Sequence, residues 1–375
     1  MQLSVIILNY NVRYFLEQCV LSVQKALGNI DGEIIVIDNN SSDDSCEMMK
    51  EQFPEVKLIA NKENVGFPKG NNIGVAHARG EYICILNPDT VVAEDTFTKI
   101  LKAENWTKNT GIIGCKLIDG TGNFLPESKR GVPTPWVAFT KIFGLYRFFS
   151  KLSWFNQYYA QHINENESGK VDILVGAFMM MKRSLYLEVG GFDENCFMYS
   201  DDIDLSYTVL QKGFQNYYYH ETTVIHYKGE STVRDGAYRK RFSEAMQFFY
   251  KKHFKKSFFF DIMMQFGSLV FALLKKSQQK ERAVKMDSYV MFTKKNLDLQ
   301  LGKPICYLTS TELFKGTDGK PVEIIFDTDD FSNQEIINFM QLNKSKKYTY
   351  RNYIASSNFI IGSNSSNDRG KVRLL

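Results

Sequence analysis

Short apolar runs alternate with segments of helical spacing through the first third of the chain. Residues 3–8 are apolar except for Ser4, as in a strand buried on both faces. Apolar positions then recur at Val12, Phe15, Leu16, Val20, Val23 and Leu27, close to the period of a helix. Residues 33–37 form a second apolar run ending at Asp38, and the polar turn 39–45 is rich in residues that cap helices, opening a helix over 44–52. Strands are predicted at 56–60, 82–86 and 111–117, and helices at 70–78 and 94–104. Such alternation predicts parallel βαβ units with right-handed crossovers.

The pattern then changes. Residues 120–135 carry Gly120, Gly122, Pro126, Gly131, Pro133 and Pro135, and the following stretch is aromatic, from Trp136 to Tyr159; long irregular insertions of this kind are often lids or binding loops. Residues 171–181 read as one strand crossing the core, 184–189 and 204–212 as helices, and 217–219 and 223–225 as strands. The most apolar long run is 257–274, flanked by Lys251, Lys252, Lys255, Lys256, Lys275 and Lys276. It is near the lower limit for a spanning helix, and Asp261 and Gln265 count against insertion. A helix lying on anionic lipid fits better than a spanning one, with a buried helix as the third reading. Farther on, a strand at 322–326, a helix at 333–342 and a strand at 358–362 make a small βαβ-like appendage. The expected division is a large unit over 1–256, an apolar membrane-associated segment over 257–276, and an α/β appendage of unassigned role over 281–375.

The length of 375 residues suits two domains. A net charge of +4 argues against a nucleic-acid partner for the chain as a whole, although basic residues concentrate after 228. The six cysteines form no C-x-x-C pair and fall mostly in apolar runs, which reads as buried, reduced thiols in a reducing compartment. The N-terminus has no basic leader or cleavage site and reads as a first strand, not a signal peptide.

Candidate chemistry lies where apolar runs end. In parallel sheets ligands bind beyond the carboxyl ends of strands. Asp38 holds such a position, favouring ligand contact over helix capping, and Asn9 and Tyr10 share its edge. The turn from Asn64 through Gly66, Phe67, Gly70, Asn71 and Gly74 permits close backbone approach and offers amides to a phosphate or ribose. Asn87-Pro88-Asp89 ends the fourth strand; Asp89 suits either a hard divalent cation or an Asx-type cap. Asp201, Asp202 and Asp204 crowd three carboxylates into four residues, where a general base with a shifted pKa competes with a solvated capping cluster. His226, ending the run 223–225, is either a structural histidine or a transition-metal ligand.

The ordered motifs resemble family 2 glycosyltransferases, and within them the rhamnosyltransferase-like branch. They are Asn9-Tyr10-Asn11 after the first strand, Asp38-Asn39-Asn40-Ser41-Ser42-Asp43, Asn64-x-Gly66-Phe67-x-x-Gly70-Asn71-Asn72-x-Gly74, Asn87-Pro88-Asp89, Gly190-Gly191-Phe192-Asp193-Glu194 and Tyr199-x-Asp201-Asp202-x-Asp204-Leu205. The resemblance covers roughly residues 1–256. It implies a GT-A, Rossmann-like α/β fold with a mostly parallel sheet flanked by helices. It also implies a dTDP- or UDP-sugar donor and inversion at the sugar carbon. Carried over by position, Asp38 contacts the base, with Asn9, Tyr10, Asn40, Asn64, Gly66, Phe67, Gly70, Asn71 and Asn87 also on the nucleotide sugar. Asp89 and His226 hold Mg²⁺ or Mn²⁺, Asp202 is the base, and Asp201 positions the acceptor. Two departures stand out: Asn87 replaces a customary acid, and Tyr207-Thr208 stands where relatives often place an arginine. The processive signature Q-x-x-R-W is absent, which favours transfer of one sugar at a time.

The acceptor expected is a glycan or lipid-linked glycan, met by a cytoplasmic enzyme bound peripherally to the inner face of the plasma membrane. The rival readings are a nucleotidyltransferase, which would want a basic glycine-rich loop after the first strand, and a non-catalytic nucleotide-sugar or glycan-binding module, raised by Asn87.

Overall fold

The computed structural model describes residues 1–149, 152, 154–227, 236–254, 286–317, 319–364 and 370–375. Strand β1 (Leu3–Asn9) is buried at every position. It pairs in parallel with β2 (Gly32–Asp38) on one side and β4 (Tyr82–Leu86) on the other, and β3 (Lys57–Ala60) extends the parallel set beyond β2. The crossovers are α1 (Arg13–Leu27), α2 (Ser45–Gln52) and α3 (Phe67–Ala76). The sheet continues from β4 through β8 (Phe178–Lys182), β6 (Thr110–Ile118), β9 (Gln215–His226) and β5 (Thr90–Val91), with β7 (Gly169–Val171) also on β9. Strands β1–β4, β6 and β9 run one way and β5, β7 and β8 the other, so the sheet is mostly parallel, as expected.

Alternation along β1 builds the three layers. Val5 and Ile7 pack with Leu16, Val20 and Val23 of α1. Ile6 and Leu8 face the opposite layer, with Val75 of α3, Tyr186 of α7 (Arg183–Glu188) and Leu205 and Val209 of α8 (Asp201–Gln211). Shorter helices α4 (Thr96–Ile100), α5 (Pro135–Ile142) and α6 (Leu145–Phe148) lie in the connections.

Three expectations need correction. The apolar run 171–181 is not one strand but β7 and β8. Between them the backbone bonds elsewhere: Ile173 to Arg130, the Leu174 N–H to Ser206 Oγ and the Gly176 N–H to the Asp202 carboxylate. Helix α8 begins at Asp201, so the three acids form its first turn instead of preceding it; carboxylates are favoured there by the helix macrodipole. The two short strands at 217–219 and 223–225 are one, β9.

Helix α9 (Gly236–His253) packs Met246, Phe249 and Tyr250 against Ile173 and Ile203. The apolar run 257–274 lies outside the described residues, and among those described no helix is long and apolar enough to cross a membrane.

The C-terminal residues form a second, six-stranded sheet in the order β11 (Ile305–Leu308), β10 (Ser288–Phe292), β12 (Val322–Asp327), β13 (Tyr348–Ile354), β14 (Phe359–Gly362) and β15 (Lys371–Leu374), with α10 (Asn333–Leu342) between β12 and β13. It shares a core with the first unit: Phe15, Val91, Ile225 and Tyr227 pack with Phe292, Phe326 and Phe339. Glu94 joins them by accepting backbone N–H bonds from Asn333 and Gln334 at 2.8 and 3.0 Å, which caps α10 from the other unit.

Candidate active site

Register places the site. Asn9 lies opposite Asp38, and Ile7 opposite Leu86, so β2, β1 and β4 end at one rim. Strand β8 runs the other way with Phe178 opposite Leu86, which puts the preceding Gly176-Ala177 on the same rim. The Asn87 N–H donates to Ala177 O at 3.1 Å. The Gly176 N–H donates to Asp202 Oδ2 at 3.1 Å. One dipeptide thus separates Asn87 from the first turn of α8.

Asp89 and His226 meet beside Asn87. Thr90 pairs with His226, and the Tyr227 N–H donates to Asp89 O at 2.9 Å. His226 Nε2 lies 3.4 Å from Asp89 Oδ1 and 3.5 Å from Asn87 Nδ2. Both side chains are buried. Asp89 Oδ1 and His226 Nδ1 have no hydrogen-bond partner among the described residues. An unsatisfied buried carboxylate oxygen is costly, and its pairing with an imidazole nitrogen gives an O,N donor set that suits a divalent transition-metal cation such as Mn²⁺, while Mg²⁺ would rest on the carboxylate alone. No group of three or more His, Cys, Asp or Glu side chains gathers into a metal site among the described residues, so a cation here would complete its shell from substrate and water.

The acid pair is held by a residue that the sequence reading missed. Arg130 Nη2 donates to Asp202 Oδ2 at 2.5 Å and to Leu174 O at 3.1 Å. Burial opposes the Arg130 charge, but the Asp202 carboxylate outweighs it and raises the guanidinium pKa. The only sequence signal for Arg130 was a basic pair, Lys129-Arg130, in a glycine- and proline-rich loop. Burial, and then the neighbouring Asp202 charge, push the Asp201 carboxyl up to about 7. The backbone reaches this turn through Tyr199 at φ +79°, a left-handed conformation uncommon for a bulky residue. Asp204 faces another way: its carboxylate takes Lys252 Nζ at 2.8 Å and His253 Nε2 at 2.6 Å, fastening α9 to α8.

On the β1–β2 side, Asp38 is buried and accepts from Asn9 Nδ2 at 2.7 Å, Ser41 Oγ at 2.6 Å and Ser41 N–H at 2.8 Å. In this conformation it shapes the rim turn, and contact with a base would exchange these partners. Asn9 Oδ1 is buried without a partner. Tyr10, Asn40 and Asn64 are exposed, with Asn40 at φ +62°. The Asn39 amide donates to Asn64 Oδ1 and Gly66 O, joining the two turns. The Phe67 N–H donates to Phe197 O at 3.1 Å, linking the glycine turn to the loop before the acids.

Gly70 lies beside the rim, where an added Cβ would come 3.3 Å from Asn39 Oδ1, and Asn71 keeps a buried Oδ1 without a hydrogen-bond partner among the described residues. A Cβ on Gly70 would lie 2.5 Å from Leu8 Cδ1, and Asn71 is fully buried with its amide on Phe67 O. The glycine spacing therefore serves close packing of α3 on the sheet. Gly66, at φ +84°, has room for no side chain beside Phe197.

Residues 4–190 match the family model described as Glycosyl transferase family 2. Over 215 residues the chain is 26% identical to the N-acetylglucosaminyl-diphospho-decaprenol L-rhamnosyltransferase of Mycobacterium tuberculosis, covering 54% of this chain and 69% of that one. It is 27% identical over 208 residues to Rhamnosyltransferase WbbL of Escherichia coli K12, covering 51% and 69%. A solved mannosyltransferase of Pyrobaculum calidifontis, in complex with GDP-Man and Mn²⁺, is similar over 73% of this chain and 70% of that one at 18% identity and a TM-score of 0.45, too distant to carry residue roles across. The chain belongs to glycosyltransferase family 2 and is a glycosyltransferase, with rhamnosyltransferases among its relatives.

Proposed function

We propose that this glycosyltransferase moves one sugar from a nucleotide-sugar donor to a hydroxyl of a glycan or lipid-linked glycan, with inversion at the sugar carbon. One observation carries the reading: Asn87, bonded to Ala177, and Asp202, bonded to Gly176, lie on either side of a single dipeptide, beside the Asp89–His226 pair.

A leaving diphosphate would lie against Asp89 and His226, and the acceptor hydroxyl against Asp201 and Asp202. A divalent cation held by Asp89 and His226, Mn²⁺ or Mg²⁺, would supply the positive charge that a departing diphosphate needs. Arg130 fixes the Asp202 carboxylate in one orientation, and Asp202 takes the hydroxyl proton as the oxygen attacks the sugar carbon from the face opposite the diphosphate. The proton ends on the acid pair and the sugar–phosphate electron pair leaves with the diphosphate. Asn9, Tyr10, Asp38, Asn40, Asn64 and Phe67 line the rim where the nucleoside would sit, with a dTDP- or UDP-sugar as the donor class. With Asn87 in place of an acid, a cation at Asp89 and His226 would meet fewer protein charges and would be held more weakly.

The relatives' names motivate a lipid-linked acceptor in cell-surface glycan assembly. The basic, apolar sequence after residue 250 motivates a place on the inner membrane face. Incubation with dTDP- and UDP-sugars, Mn²⁺ and a lipid-linked acceptor should release nucleoside diphosphate and yield an inverted anomer by NMR. Retention of configuration overturns the direct displacement, and donor binding without release would make the chain a binding module.

A further inference from the structure

The C-terminal unit contains a cavity of about 650 Å³ that none of the proposed active-site residues line. Among the described residues its walls bring together Lys303, Arg351, Lys371 and Arg373, with Glu323 as the one carboxylate. We propose that this cavity is a second binding site, for a phosphate-bearing anion.

Among the described lining residues, four cations against one acid leave an excess of three positive charges in a concave space. Walls of low dielectric focus such a field and raise the local concentration of anions. Three of the cations, Arg351, Arg373 and Lys303, are tied to neighbouring groups. Arg351 is buried; its Nε lies 3.2 Å from Glu323 Oε2, its Nη1 donates to Tyr350 O at 2.8 Å, and its Nη2 donates to Asn364 Oδ1. Arg373 Nη1 donates to Tyr289 Oη at 3.2 Å, with the guanidinium 5.6 Å from that ring centroid. Lys303 Nζ donates to Met286 O. Burial holds the Arg351 guanidinium below its ordinary value in spite of Glu323, and the Arg373 charge adds to that effect. Arg351 and Arg373 line the same cavity, so an anion there gains from both, and their planar forks match phosphate oxygens.

The size and remaining lining narrow the ligand class. The volume lies within the range of small-molecule sites and far exceeds a bare phosphate. Met286, Tyr289, Ile360 and Val372 give the cavity an apolar wall. A phosphate carrying a ring or chain, whether a soluble phosphorylated sugar or a lipid headgroup, uses both features.

The test uses the full chain in EDTA, so that pyrophosphate cannot bind through a cation at Asp89 and His226. Calorimetric titration with pyrophosphate should show one saturable site that weakens with added salt. Lys371 and Arg373 are exposed on β15, so Lys371→Glu and Arg373→Glu should fold normally. Each should weaken binding by about tenfold or more, an effect of roughly 1.4 kcal/mol, with sugar transfer unchanged. Sedimentation with phosphatidylglycerol vesicles that is lost in Arg373→Glu assigns a lipid headgroup. Pyrophosphate binding without sedimentation assigns a soluble phosphate. No saturable binding to either, or binding that both variants leave intact, overturns the site.

Discussion

Arg130 and Asp202 form a buried ion pair between a glycine- and proline-rich loop and the first turn of α8, with Nη2 2.5 Å from Oδ2. The pair fixes the direction of a carboxylate that the proposed mechanism needs as its base. It is also the point where that mechanism can be separated from simple stability.

Asp202→Asn keeps the shape of the turn and removes the proton acceptor. Turnover should fall by about 10²–10⁴-fold, the usual contribution of a general base, with little change in the donor KM. Arg130→Met should destabilise the protein by about 3–5 kcal/mol, because it leaves a buried carboxylate without its partner. Urea unfolding of Arg130→Met/Asp202→Asn should recover most of that loss. An additive double variant would show that the two groups do not act as a pair.

The acid turn also sets a pH dependence. The Asp201 carboxyl is pushed up to about 7 by burial and by Asp202, so kcat/KM should fall as pH drops below about 7 and the pair takes up a proton. The stability effect has the opposite sense. The folded chain binds this proton more tightly than the unfolded chain, whose carboxyl titrates near 3.8. Its stabilising contribution is therefore present at low pH and is lost as pH rises toward 7. Relative to the parent, Asp201→Asn should gain stability between pH 4 and pH 8, read by thermal unfolding across that range. A constant difference would refute the raised pKa.

Legibility followed burial. Runs such as Val5-Ile6-Ile7-Leu8 announce a strand covered on both faces, because no position needs water, and β1 is so covered. The acids of α8 stood out because three carboxylates in four residues are costly to crowd. What sequence concealed was set by contacts distant in the chain. Residues 171–181 are apolar almost throughout, and it is contacts with distant partners, Ile173 with Arg130, Leu174 with Ser206 and Gly176 with Asp202, that accompany their break into two strands. Arg130 lies 72 positions before its partner, with no local pattern to mark it. The glycines of α3 read as a ligand loop, but Leu8, Ile6 and Ile37 fill the space that their side chains would take.

Cation dependence is the next consequence. EDTA should abolish nucleoside diphosphate release, and added Mn²⁺ should restore it. Asp89→Ala and His226→Ala should each raise the half-saturating Mn²⁺ concentration by at least the roughly 10–100-fold typical of disturbed metal sites. Equilibrium metal binding measured with donor present should shift in parallel. Unaltered metal binding in both variants would move the cation elsewhere.

The thiols should divide by exposure. Burial pushes Cys19 up to about 12 and Cys84 and Cys115 well above the ordinary thiol value, so none of them offers a reactive thiolate at neutral pH. Cys306 is exposed. A disulfide-exchange reagent should modify Cys306 rapidly in the native protein and reach Cys19, Cys84 and Cys115 only after denaturation, as peptide mass mapping would read.

The shared core beneath β5 and β9 has a reach beyond packing. Val91 and Ala93 follow Asp89 closely, Ile225 and Tyr227 flank His226, and all four lean on side chains contributed by the C-terminal sheet. An alteration at Phe292 or Phe326, remote in sequence from Asp89 and His226, would loosen the seat of both side chains at once. The C-terminal sheet is therefore part of the footing under Asp89 and His226, and a chain ending before residue 286 would leave Val91, Ile225 and Tyr227 without that cover.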